Sequence, residues 1–393
     1  MRLTSAQREA SEAPERYVCV EAGPGTGKST VIAARCVYLV KQGEEPRSIL
    51  VLTFTRAGAA SIRRKVQEET GTEIRCLTFH EYAAGLLRDA GQLEGLSIAT
   101  ELETETAVRS LYEGGSRLPK GEACNISTLK KALIDFESGK HEVHGLAAQT
   151  VATLSLRLAE LGRKPLFEVV PQAIESCPAP AEADEISHVL VDERQDLTPN
   201  EERLCIDCAL PATLFAVGDS AQGIMQFRGA VPDAFASLKP TMHYLRESFR
   251  FGPSIAEAVN VVGRRIGVPD VVGMEESSSV AVRDFKVSGW PLPVENEMVL
   301  FPRNVDCEEH VRSSEASSVH VRRDPFGDPF GEREDLYDAA WEAGKVPVST
   351  IHQSRGREAD RVIVCGLGSV KDDRLAYVAL SRARHELIIA EAQ

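Results

Sequence analysis

The segment AGPGTGKST, Ala22 to Thr30, stands directly after the β-branched stretch YVCVE and directly before the helix-patterned VIAARCVYLV. Strand, glycine loop and helix in that order predict a phosphate-binding loop. Glycines let backbone amides close around phosphate oxygens, the helix N-terminus adds its dipole, and a lysine and a hydroxyl complete the cradle. Gly23, Gly25, Thr26, Gly27 and Thr30 would line that cradle, Lys28 would reach the β- and γ-phosphates, and Ser29 would ligate magnesium. Ala22 replaces the first glycine of the usual pattern, which leaves Gly25 and Gly27 in place. A loop of this kind is built on a parallel sheet, so it commits the chain to an α/β fold.

The rest of the chain reads in the same grammar. YVCVEA and SILVLTF are predicted buried strands, each followed by a glycine-containing turn and a helical pattern. From about Arg88 to Asp184 the texture changes to leucine- and alanine-rich periodic segments such as STLKKALIDFESG and VATLSLRLAELG, which predicts a helical insertion over 89–184 without a convincing strand. Strand texture returns at ISHVLVDE and ATLFAVGD, so 1–88 and 185–240 are read as one lobe. A second αβ unit is expected over 241–393, with MVLFPR, VPVSTI, RVIVCGL and ELIIAEA as its strands. The tandem DPFG at Asp324 to Gly331 reads as turns.

A nucleotide site also needs a carboxylate at the end of a neighbouring buried strand to hold the metal. HVLVDERQD supplies Asp192 for that role, with Glu193 beside it as a general base for an attacking water.

Composition narrows the partners. Lysine plus arginine number 45 against 59 aspartates plus glutamates, a net charge of −14, which argues against indiscriminate binding of polyanions while leaving room for a locally basic groove. No apolar run approaches the roughly eighteen residues of a membrane helix, and the start, MRLTSAQREASEAPER, is too charged for a secretory signal. The expected setting is cytoplasmic, with no membrane partner. Of nine cysteines the only close pair is Cys205 and Cys208, and no second pair stands at ligand spacing. Buried free thiols are expected instead.

Taken in order, the motifs resemble superfamily-one DNA helicases of the UvrD/Rep group. LTSAQREA is similar to the glutamine motif, LTFTRAGAASIRRKV and LTFHEYAAGLLR to two strand-contacting motifs, DERQD to the acidic motif and VGDSAQGIMQFRGA to the third motif. LRESFRF, STIHQSRGREADRVIV and RLAYVALSRAR resemble the motifs of a second ATPase lobe. The resemblance implies two RecA-like P-loop lobes with parallel sheets, using ATP and magnesium and moving on single-stranded or tailed duplex DNA, with 3′-to-5′ polarity. It makes Gln7 the adenine reader, Phe249 the ring that stacks on adenine, Glu358 the ribose contact and Gln222 the γ-phosphate sensor, with Arg250 and Arg382 as arginine fingers. DNA would run over Phe54, Thr55, Arg56, His80, Phe227, Arg228 and His352, while Phe79 is expected in the core.

Two departures bear on activity. Met225 stands where the third motif usually carries its first aromatic, which thins base stacking, and only about a hundred residues separate Arg250 from the HQSRG motif, too few for the large second insertion of related motors. Weak unwinding by the monomer is expected from both. A different class of function fits the same compact, acidic chain: an ATP-gated DNA-binding regulatory subunit that unwinds only with a protein partner such as a nuclease.

Overall fold

The computed structural model describes residues 1–100, 103–104, 106–108, 110, 126–139, 143–176, 186–209, 213–284, 296–313, 318–321 and 336–391. A six-stranded sheet is built from β1 (Tyr17–Ala22), β2 (Ile49–Thr53), β3 (Arg75–Thr78), β4 (His188–Val191), β5 (Thr213–Gly218) and β6 (Thr241–Leu245). Its order is β3-β2-β4-β5-β1-β6, with every pair parallel. All carboxyl ends therefore open on one edge, where parallel sheets bind ligands.

Helices on both faces explain why these strands are near-continuous apolar runs. Val18, Val20, Ile49, Val51, Leu190, Phe215 and Val217 point to one core, shared with α1 (Ser5–Ser11), α2 (Lys28–Lys41) and α3 (Arg56–Thr70). Their alternates Cys19, Leu50, Leu52, Val189, Val191, Leu214 and Ala216 point to the other, under α4 (Phe79–Asp89).

Between these strands lie α5 (Ile126–Ser138), α6 (Gly145–Glu160) and α7 (Leu166–Ser176), and α8 (Pro199–Ala209) follows β4. Helices α5 and α6 bury Leu129, Leu133, Leu154 and Leu158 in a core of their own. Helix α7 does not stand apart. Val169, Val170, Ala173 and Ile174 pack into the first lobe's core, so the expected insertion over 89–184 is tied to the lobe through its last helix. It also holds a two-residue parallel ladder, Ser97–Ile98 with Arg163–Lys164, where no strand is expected.

The second sheet comprises β7 (Ser279–Asp284), β8 (Glu297–Phe301), β9 (Ser318–His320), β10 (Val346–Thr350), β11 (Ala359–Cys365) and β12 (Ala383–Glu391), all parallel, in the order β7-β12-β11-β8-β10-β9. One face packs on α9 (Pro253–Arg265) and α12 (Asp373–Leu380), and the other on α10 (Asn304–Ser313); α11 (Leu336–Glu342) adds Tyr337 to the first of these cores. The fold is thus α/β with two parallel sheets, as the sequence predicts. One boundary needs correction: β6 pairs with β1, so the first sheet runs to Leu245 and a second lobe beginning at 241 would cut off its edge strand.

The lobes share an apolar contact. Ala221 and Ile224 belong to the first lobe in sequence, yet they pack with Phe251, Ile255, Leu375 and Tyr377. Cys19, Cys36, Cys76, Cys205, Cys307 and Cys365 are free and buried, and no group of three or more metal-binding side chains occurs among the described residues. The side chain of Cys208 and the DPFG repeat lie outside them. Among the described residues no helix is long and apolar enough to cross a membrane.

Candidate functional site

The loop after β1 is shaped by its glycines. Gly25 and Gly27 sit at φ 73° and 85°, a region costly for side-chain-bearing residues. At Gly25 a Cβ would also lie 2.5 Å from Arg250 Cβ and Ser248 Oγ, and at Gly27 it would lie 2.9 Å from Gln7 Nε2. Residues from two well-separated parts of the sequence therefore close on one loop. Gly27 is the N-cap of α2, which leaves the first amides of that helix facing the loop. Lys28 Nζ donates to the carbonyls of Ala22 and Gly23 at 3.2 and 3.3 Å.

Gln7 and Phe249 each bond to this loop. Gln7 is buried, donating from Nε2 to Thr26 O at 2.9 Å and accepting from Thr4 N at 3.0 Å. Each bond uses half the capacity of its atom, so the amide keeps one N–H and one lone pair for a further partner. Phe249 donates its backbone N–H to Gly25 O at 2.9 Å while its ring stays 46 % exposed at the rim.

Parallel pairing of β4 and β5 beside β1 brings Asp192, Glu193 and Asp219 to the same edge. Glu193 adopts φ 55°, donates its N–H to Asp192 Oδ1 at 3.0 Å and accepts from Gln195 Nε2 at 2.6 Å. Burial, and then the neighbouring Glu193 charge, push the Asp192 carboxyl up to about 7. Burial also works against ionisation of Glu193, but Lys28 and Arg355 outweigh it and hold that carboxyl below its usual range. Burial raises Asp219 to about 6. The Ser29 hydroxyl and the Asp192 carboxylate are hard oxygen donors, and a buried, under-compensated carboxylate suits a small divalent cation that takes its other ligands from phosphate and water.

The second lobe places its arginines against this edge. Arg382, 2 % exposed, donates from Nη2 to Gln222 Oε1 at 2.5 Å, and Gln222 Nε2 donates to Asp219 Oδ2 at 2.6 Å. Burial, reinforced by Arg250, pulls the Arg382 guanidinium down to about 9, so it is charged at neutral pH. Arg250 lies over the loop but turns back into its own lobe, to Glu358 Oε2 at 2.5 Å and Ser381 O at 2.8 Å. Glu358 is also paired with Arg384, so both its oxygens are already engaged.

One participant has no place among the predicted site residues. Arg355, within the HQSRG string, pairs through Nη2 with Asp196 Oδ2 of the DERQD cluster, and its charge acts on both Asp192 and Glu193. Its signal lay in two quoted motifs, but pairing across 159 residues is invisible to local spacing.

Along the same edge the expected DNA contacts fall into two groups. Phe227 is 50 % exposed and meets His352 of the second lobe edge-on, with ring centroids 5.6 Å apart. Arg228 beside it is half-buried. Thr55 is exposed but caps α3 by accepting from Gly58 N, and Arg56 pairs with Glu81 at 2.8 Å. Two residues are less open than the sequence suggests. Phe54 is half-buried with its ring 5.0 Å from the buried Phe79, as α4 folds back onto the β2 end. His80 is 7 % exposed with Nε2 3.2 Å from Glu137 Oε1, because α5 covers it.

Residues 3–243 match the UvrD/REP helicase N-terminal domain and residues 345–390 the UvrD-like helicase C-terminal domain. DNA helicase IV of Escherichia coli (strain K12) is 26 % identical over an alignment covering 98 % of this chain and 67 % of the relative. A probable DNA helicase of Mycoplasma pneumoniae (strain ATCC 29342 / M129 / Subtype 1) is 25 % identical, covering 98 % and 83 % respectively. Among solved structures, the PRRSV helicase aligns over 98 % of this chain and 54 % of its own, with 14 % identity and a TM-score of 0.42. Because the N-terminal family model alone spans more than half of the sequence, the chain belongs to the UvrD/REP helicase family.

Proposed function

We propose that the protein is an ATP-driven motor that moves 3′-to-5′ along single-stranded DNA, hydrolysing ATP between its lobes. The observation that carries this reading is the buried relay Arg382–Gln222–Asp219, which joins the second lobe to the nucleotide edge of the first. In this account Lys28 and the loop amides hold the terminal phosphates, while Gln7 uses its spare donor and acceptor on adenine and Phe249 covers the base. Glu358 would give up one arginine contact to reach the ribose. Ser29 and Asp192 would hold magnesium, whose charge neutralises the β- and γ-phosphate oxygens. Glu193 takes the proton as a water oxygen bonds to the γ-phosphorus, and the bond to the ADP oxygen breaks. Charge on the transferring group falls between Lys28, Arg250 and Arg382.

Coupling to DNA follows from the short distance in sequence between two roles. Gln222 faces the nucleotide edge and Phe227 the strand, five residues apart, while Ala221 and Ile224 fix the segment in the second lobe's core. A shift at Gln222 would therefore be passed along this segment to Phe227 and its neighbour His352. Bases would stack on Phe227, and Arg228, Arg56 and Thr55 would take phosphates.

Phe227→Ala is expected to lose roughly 1 to 3 kcal/mol of oligo-dT affinity in fluorescence anisotropy. Unchanged affinity would place the strand elsewhere. The whole reading is tested by steady-state ATPase with and without oligo-dT, and by stopped-flow translocation on strands labelled at either end. Hydrolysis indifferent to single strands would sink it, and arrival at the 3′ end would reverse the polarity.

A further inference from the structure

The contact that buries His80 also sets a carboxylate, Glu137, against it. Glu137 stands in the last turn of α5, and contacts with Asn200 and with a turn of the third motif pin that helix to the first lobe. Asn200, from α8 just after the acidic cluster, donates Nδ2 to Glu137 O at 2.9 Å. Gly139 sits at φ +68° with Asn200 packed so closely against it that a Cβ has no room. Helix α5 also reaches the short turn carrying Gln226–Arg228. The Glu137 carboxylate is thus held between two predicted strand-contacting residues: His80, whose Nε2 is at hydrogen-bond distance, and Arg228, whose charge acts on it. Burial opposes ionisation of Glu137, yet His80 and Arg228 keep its carboxyl below the usual range, so it is an anion at neutral pH.

An anion so placed occupies the chemical position of a DNA phosphate. We propose that Glu137 is a resident competitor for the DNA backbone: it occupies His80 and offsets the charge of Arg228 when no strand is bound, and a phosphate must displace it to engage them. This rests on the strand path proposed above. The role suits a motor, because the carboxylate can take the place of each departing phosphate instead of leaving Arg228 without a counter-ion. The carboxylate thereby lowers affinity in exchange for exchange rate.

The test is titration of oligo-dT into the full chain across a salt series, for wild type, Glu137→Gln, Arg228→Ala and the double variant, with nucleotide affinity as the check on folding. Glu137→Gln keeps the shape and removes the charge. Expected is binding tighter by about five- to tenfold, as for loss of one like charge beside a phosphate, and a salt dependence steeper by up to about 0.7 in log–log slope, one phosphate's worth for a single strand. That gain should shrink when Arg228 is also removed. Glu137→Ala is the second variant, with the same sign expected. If Arg228→Ala weakens binding but both Glu137 variants leave affinity and slope unchanged or lower them, Glu137 merely supports His80 and the inference is overturned while the strand path stands. If Arg228→Ala has no effect either, the strand path itself fails.

Discussion

Arg382→Ala is expected to reduce ATP turnover by about a thousandfold or more with nucleotide affinity changed far less, because a finger acts on charge that develops only as the phosphoryl group transfers. The geometry supports so large an effect. Arg382 comes from the second lobe, is buried, and already touches the first lobe through Gln222. A guanidinium in such a water-poor cleft neutralises charge with little screening. Truncation also removes the donors to Val378 O and Arg357 O, so part of any loss could be structural. Arg382→Lys separates the two contributions, since it keeps the charge and loses the planar fork. Single-turnover hydrolysis and fluorescent-nucleotide binding should be read together. A rise in the Michaelis constant with turnover unchanged would assign Arg382 to ground-state binding and remove it from the chemistry.

How far the sequence reveals this machinery depends on whether a feature is local. The loop from Ala22 to Thr30 and the acids at Asp192 and Glu193 are legible because strand, turn and helix are contiguous, and strands buried on both faces carry unbroken apolar runs. Edge strands are another matter. Thr241–Leu245 leaves Thr241, Met242 and Tyr244 exposed, so it shows no buried run, and its place beside β1 follows only from the sheet. Ser279–Asp284 pairs on one side alone, with β12, and is equally faint. Helix α7 reads as part of an insertion because it follows one in sequence, although its apolar face completes the first lobe. Arg355 with Asp196, and Glu137 with His80, are pairs that only folding brings together. His80 shows the limit of motif reasoning: the string names the residue and says nothing of the helix that covers it.

Glu193→Gln is the variant expected to separate binding from hydrolysis. The substitution is isosteric, and Gln195 and the Asp192 carboxylate would still hold the segment, since one contacts the side-chain oxygen and the other the backbone N–H. The left-handed φ of 55° at this position is set by the turn leaving β4 and is unaffected by the change of side-chain group. What is lost is the anionic oxygen that, in the proposed mechanism, accepts the proton from the attacking water. Removing a general base costs on the order of 10² to 10⁴ in rate. Lys28, Arg355 and Arg382 would then face one negative charge fewer, so ATP affinity is expected to stay the same or rise. Measured by nucleotide binding, single-turnover hydrolysis and oligo-dT affinity in the presence of ATP, the variant should bind both ligands and stall. Turnover equal to wild type would move the base to another group, and Asp192 could not inherit the role without giving up the cation that the proposal assigns to it.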